Sequence, residues 1–124
     1  MRLGSIIYIQ VTQSGLHAEL LPAGPTATIA CSALAHPRTL MGDFGAIEAA
    51  FRQALSTLGQ KAWYKPSPLV LTHLVPQVEG GYTNVELRAF REAAFGAGAS
   101  QSFMLANHPP LSASEKADVS KFFK

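Results

Sequence analysis

One cysteine, one tryptophan and charged residues at only 15% of 124 positions set the first limits on this sequence. Cys31 has no second cysteine to pair with, so an internal disulfide is excluded. It lies in an apolar run, where a small buried hydrophobe is the expected role. No stretch of 18 apolar residues occurs, and no charged-then-apolar leader opens the chain. A cytoplasmic protein without a transmembrane segment is the expectation. Ten basic against eight acidic residues leave a net charge of +2 and no Lys/Arg run, which argues against a nucleic-acid partner. What the chain does have is 48% hydrophobic residues, enough for one core, so residues 1–124 are expected to form a single domain.

Periodicity divides that domain. Ser5 to Val11 and Gly15 to Leu21 read as strands joined by a Thr12-Gln13-Ser14-Gly15 turn, and Thr26 to Ser32 as a third. Asp43 can cap a helix carrying Ile47, Ala50, Phe51, Ala54, Leu55 and Leu58 on one face, ended by Gly59. Leu69 to Val75 is almost wholly apolar, as a central parallel strand would be. Thr83 with Glu86 forms a capping-box pattern before a stripe of Val85, Leu87, Phe90, Ala93 and Ala94, with Gly96 and Gly98 as the stop. A strand including Phe103 to Ala106 follows, then a short helix capped by Ser112 or Ser114 and holding Ala117, Val119, Phe122 and Phe123. The expected order is βββ-α-β-α-β-α, an α/β domain with a mixed five-stranded sheet of the ribonuclease H-like kind.

The words around the third quarter of the chain carry a family likeness. Thr83, Glu86, Arg88, Ala89, Ala93, Gly96 or Ala97, Gly98 and Ala99 fall in the register T-x-x-E-x-R-A-x-x-x-A-x-x-A-G-A. This segment resembles the bacterial actin-like rod shape-determining proteins, the MreB family. The resemblance implies one ribonuclease H-like half of an actin-like ATPase, since the four-subdomain architecture needs a much longer chain. It also implies where a nucleotide site would stand. The family's Asp-Leu-Gly-Thr-type phosphate loop falls on Gln10, Val11, Thr12, Gln13, Ser14 and Gly15, with Gln10 in place of the carboxylate. The acidic residues of the family's E-E-P strand end fall on Asn107 and His108.

A neutral amide adds no charge to offset Mg²⁺, so Gln10 should weaken any metal strongly. Thr12 to Gly15 read equally well as a polar hairpin tip, and His108 as an exposed residue before two prolines. Of the carboxylates that nucleases of this fold use, Glu48 stands in place, and a solvated helix face is its expected environment. His17 and His36 lack partners at ligand spacing; His73, inside an apolar strand, reads as a hydrogen-bonded core histidine rather than a metal ligand. Glu79-Gly80-Gly81 before a helix has the anion-accepting geometry but no P-loop lysine. Trp63, Tyr64 and Tyr82 sit in loops, as interface aromatics or as covers of a core edge. Together these give an expectation of a non-catalytic actin-like domain without cofactor, acting through a protein partner or self-association in cell-shape, division or envelope machinery. The alternative is a nucleotide-binding protein or weak ATPase, using ATP and Mg²⁺, completed by a partner chain.

Overall fold

Strand pairing starts from a two-residue turn. β1 (Ile6–Thr12) and β2 (Gly15–Leu21) pair antiparallel from Ile6↔Leu21 to Thr12↔Gly15, leaving Gln13 and Ser14 as the link. β3 (Thr26–Ala30) continues the meander. It ends before Ser32, short of its expected length, because the Cys31 amide donates to the Ser14 carbonyl and Ser32–Ala35 winds into a 3-10 helix. Then follow α1 (Phe44–Thr57), β4 (Leu69–Leu74), α2 (Asn84–Gly96), β5 (Gln101–Ala106) and α3 (Ala113–Ala117). The computed structural model describes residues 6–21, 24–36, 40–58, 68–78, 80–106 and 109–118, so Gly59 and the expected apolar end of α3 lie outside the described residues.

The sheet order is β3-β2-β1-β4-β5, with β1, β4 and β5 parallel to one another and the β1–β2–β3 meander antiparallel. The expected mixed five-stranded α/β sheet is therefore present. Period-two alternation separates two faces. Ile7, Ile9, Val11, Leu16, Ala18, Ile29, Val70 and Leu74 meet Ile47, Phe51, Ala54 and Leu55 of α1 and Phe90, Ala93 and Ala94 of α2 in the main core. Tyr8, Leu21, Leu71 and Leu111, with Ile6, Phe103 and Leu105 beside them, form a smaller cluster on the opposite face. All six residues of β4 are buried, as expected for a strand covered on both faces.

The helix ends obey local chemistry. The Asp43 carboxylate accepts from the Ala46 amide, and both halves of the Thr83/Glu86 and Ser112/Glu115 capping boxes are formed. At the end of α2, Ala99 N–H reaches the Ala94 carbonyl and Gly98 N–H the Phe95 carbonyl, a Schellman closure. Only Gly98 takes the left-handed conformation there, at φ +115°. Gly96 has a different role from the expected helix stop: a Cβ built on it would lie 1.9 Å from Glu48 Oε2. Glu48 is accordingly half-buried against α2, not on a solvated face, and Arg52 bonds both Glu48 Oε1 at 3.5 Å and the Gly96 carbonyl at 3.0 Å. Val85 also departs from expectation. It is 78% exposed, because the contact face of α2 is the narrower stripe through Phe90, Ala93 and Ala94.

Thr72, wholly buried on the main face of β4, has a hydroxyl with no hydrogen-bond partner among the described residues. Replacing it by the nearly isosteric valine removes that desolvated group without opening a cavity. Thr72→Val is expected to stabilise the fold by about 1 kcal/mol, read as a higher urea midpoint at unchanged slope.

Candidate functional site

Sheets with parallel strands present ligand sites at the carboxyl ends of those strands. Here that end of β1 and β4 holds Gln10, Thr12 and His73, with Gln10 and His73 in direct register. Both side chains stand on the smaller face, on the same side as Tyr8. The Tyr8 phenol is the hub. It receives hydrogen bonds from Gln10 Nε2 at 3.2 Å and from the Leu111 amide at 3.2 Å, and it lies 2.6 Å from His73 Nδ1.

Counting donors assigns the protons. Two incoming donors fill the phenol's lone pairs, so its own proton goes to His73 Nδ1. His73 is then a neutral ring with its proton on Nε2, and it is completely buried. This is the hydrogen-bonded core histidine that the apolar strand suggested. Around the hub, Lys116 of α3 pairs with Glu19 of β2 at 2.9 Å and places its ammonium 5.9 Å from the centre of the Tyr8 ring.

The turn in the place of a phosphate loop satisfies itself. Thr12 Oγ1 accepts from the Ser14 amide at 3.3 Å, lies 3.0 Å from Ser14 Oγ and 3.3 Å from the Gly15 carbonyl. Gln13 is exposed at the tip. Gly15 approaches β3 so closely that a Cβ would meet the Ile29 carbonyl oxygen at 2.1 Å. Thus the structure brings Gln10 and Thr12 to one end of the sheet, with Gln13, Ser14 and Gly15 in the adjoining turn. Asn107, His108, Trp63, Tyr64 and Glu79 lie outside the described residues.

Comparison with protein-family models and with curated proteins found no match. The site is therefore characterised by its own chemistry. Among the described residues no three His, Cys, Asp or Glu side chains stand close enough to hold a metal ion, and no helix is long and apolar enough to cross a membrane. Cys31 is buried, and exposed His17 places Nδ1 3.2 Å from Thr28 Oγ1 across the β2–β3 pair. Gly80 and Gly81 both have positive φ in the turn before α2, where the Gly81 amide is bonded to the Val78 carbonyl. The part of this arrangement that sequence reading missed is Tyr8, along with the Glu19–Lys116 pair. Its only trace in the sequence is a tyrosine two residues before Gln10 in an otherwise apolar strand.

Tyr82, one of the three loop aromatics, is half-buried on the edge of the main core and donates its hydroxyl proton to the Pro76 carbonyl at 2.5 Å. Burial raises its phenol above the ordinary 10.0, and the nearby Glu86 carboxylate adds to the rise. The folded state therefore holds this proton more tightly than the unfolded chain does. Its contribution is complete below pH 10.0 and is lost as pH rises through the raised value. Urea unfolding over the alkaline range should show stability falling above that point, and Tyr82→Phe should remove part of the fall.

Proposed function

We propose that this chain is a ribonuclease H-like domain of the actin-like type, resembling the first half of the MreB family, and that it works as a protein-interaction or assembly module without ATPase activity. The strand order β3-β2-β1-β4-β5, antiparallel on one side of β1 and parallel on the other, supports the fold reading. The observation that carries the functional reading is the use of Gln10. Its neutral amide stands where the resemblance calls for a carboxylate, and that amide is spent on the Tyr8 phenol. The turn that follows is closed on itself through Thr12 and Ser14. Partners of the cell-shape, division or envelope machinery, or a second copy of the chain, follow from the family resemblance.

A thermal melt in Mg-ATP tests this. A ligand that binds only the folded state at a hundred times its dissociation constant stabilises by about 2.7 kcal/mol, which moves a domain of this size by several degrees. We expect no resolvable shift at millimolar nucleotide, together with no phosphate release. A clear shift would replace the module with the nucleotide-binding alternative, and steady hydrolysis would replace it with an ATPase completed by association. The positive arm is light scattering of the purified chain across a concentration series, alone and with extracts fractionated for candidate partners.

A further inference from the structure

We propose that the outer edge of β3, with the groove between β3 and α1, is the contact between two copies of this chain, paired antiparallel about Thr28. The proposal rests on the assembly reading above and gives it a partner and a surface. β3 ends the sheet, with β2 as its one neighbour. The Cys31 amide donates to the Ser14 carbonyl and the Leu20 amide to the Pro25 carbonyl, which fixes the phase of the β2–β3 ladder. Pro25, Ala27, Ile29 and Cys31 therefore turn their backbone groups toward β2, while Thr26, Thr28 and Ala30 turn theirs outward. Those outward amides and carbonyls have no partner among the described residues. Natural edges are usually blunted by charge, by a bulge or by a cover. This one, Thr26–Ala30, carries no charged side chain.

The edge matches itself. Set antiparallel about Thr28, two copies place Thr28 opposite Thr28 and Thr26 opposite Ala30 on either side, and every facing pair is of the kind that exchanges two backbone hydrogen bonds. The alternate positions bring Pro25 and Ala27 of the second copy opposite Cys31 and Ile29, and Pro25 needs no N–H there because it lies between the bonded rungs. On that side β3 is flanked by a groove of about 290 Å³, lined by Ile29, Cys31 and Ala33 and by Ala46, Ala49 and Gln53 of α1. No lining residue is charged, so two copies that each carry +2 meet without bringing like charges together. The helix allows the approach. Strands pair about 4.8 Å apart and helices pack about 8 to 10 Å apart, so α1, lying over β3 and β2, would meet its symmetry mate across the junction. Ala46, Ala49 and Gln53 are exposed on that flank, and alanines let two helices come close.

Sedimentation equilibrium of the full chain over a concentration series tests the pairing. The mass should rise toward twice the 13.2 kDa of the chain. Thr28→Lys and Thr28→Glu should each weaken the dimer by about fivefold, because a like charge then faces itself across the two-fold axis, and mixing the two variants in equal amounts should restore it. Both variants lose the same contact with exposed His17, so recovery on mixing reads the charge alone. In the wild type, the amides of Thr26, Thr28 and Ala30 should exchange more slowly as concentration rises, while those of Ala27 and Ile29 hold steady. A chain that stays monomeric up to about 1 mM overturns the proposal and leaves the assembly reading with a different partner. A dimer that neither Thr28 variant weakens, or that mixing does not recover, overturns this surface while self-association stands. Phosphate release from ATP would instead strike the assembly reading itself.

Discussion

Gly15→Ala is expected to cost this protein about 3 kcal/mol or more, enough to threaten folding at physiological temperature. The reason is a backbone collision. The added Cβ would stand 2.1 Å from the Ile29 carbonyl oxygen and 3.0 Å from Ala30 Cα, and both belong to the paired strand β3. Neither neighbour can turn aside as a flexible side-chain tip could. Relief requires β2 and β3 to separate at their first rung, which also pulls on the Cys31 amide bonded to the Ser14 carbonyl. Backbone strain adds to it, since φ at Gly15 is +153°, on the margin of the region that residues with a Cβ avoid. Chemical denaturation of the variant, with far-UV circular dichroism to follow the strands, gives the measurement. A loss below about 1 kcal/mol would mean that the hairpin and β3 are not joined in this way. The result also bears on function. Gly15 stands in the place of a phosphate loop, so a damaging glycine substitution there would ordinarily suggest lost ligand contacts; here the same damage should appear with no nucleotide in the assay.

How far the sequence exposed the fold depended on whether the deciding contacts were local. Asp43, Thr83 with Glu86, and Ser112 with Glu115 were legible because a cap is settled within three residues. The hairpin and the bounds of β2 were legible for the same reason: Gly15 starts a strand that alternates inward and outward to Leu21. Val85 fits a helical stripe as well as Leu87 does, and only the position of α1 and the sheet excludes it from the core. Glu48 looked solvated because its packing partner is a glycine forty-eight positions on, and a glycine shows no apolar signal that a helix rests on it. Of the candidate site, the residues at the strand ends were identifiable from the resemblance, but their bonding was not. Tyr8 and His73 are 65 positions apart, and their meeting depends on the parallel register that places Gln10 beside His73. A register slip of one residue would have put His73 on the face opposite Tyr8 and Gln10. The segment carrying the family resemblance, Thr83 to Ala99, is itself built of capping, small-residue packing and a glycine turn. Much of its pattern is explained by folding alone.

The second large effect concerns the hub. Tyr8→Phe keeps the ring and removes one oxygen, yet it leaves the His73 Nδ1 acceptor, the Leu111 N–H and the Gln10 amide without their partner. Buried groups stranded in this way cost about 1 to 3 kcal/mol each, less where water can reach them, as it can at half-buried Gln10. A loss of about 2 to 4 kcal/mol is expected, large for the deletion of a single atom. His73→Leu strands the phenol proton while adding an apolar side chain to a face already lined by Leu71 and Leu105. The two changes together decide what the pair contributes. With both polar partners gone, the double variant should lose distinctly less than the sum of the singles, by about 1 to 3 kcal/mol of coupling at neutral pH. Strict additivity in urea unfolding at neutral pH would mean that Tyr8 and His73 are neighbours without a shared proton.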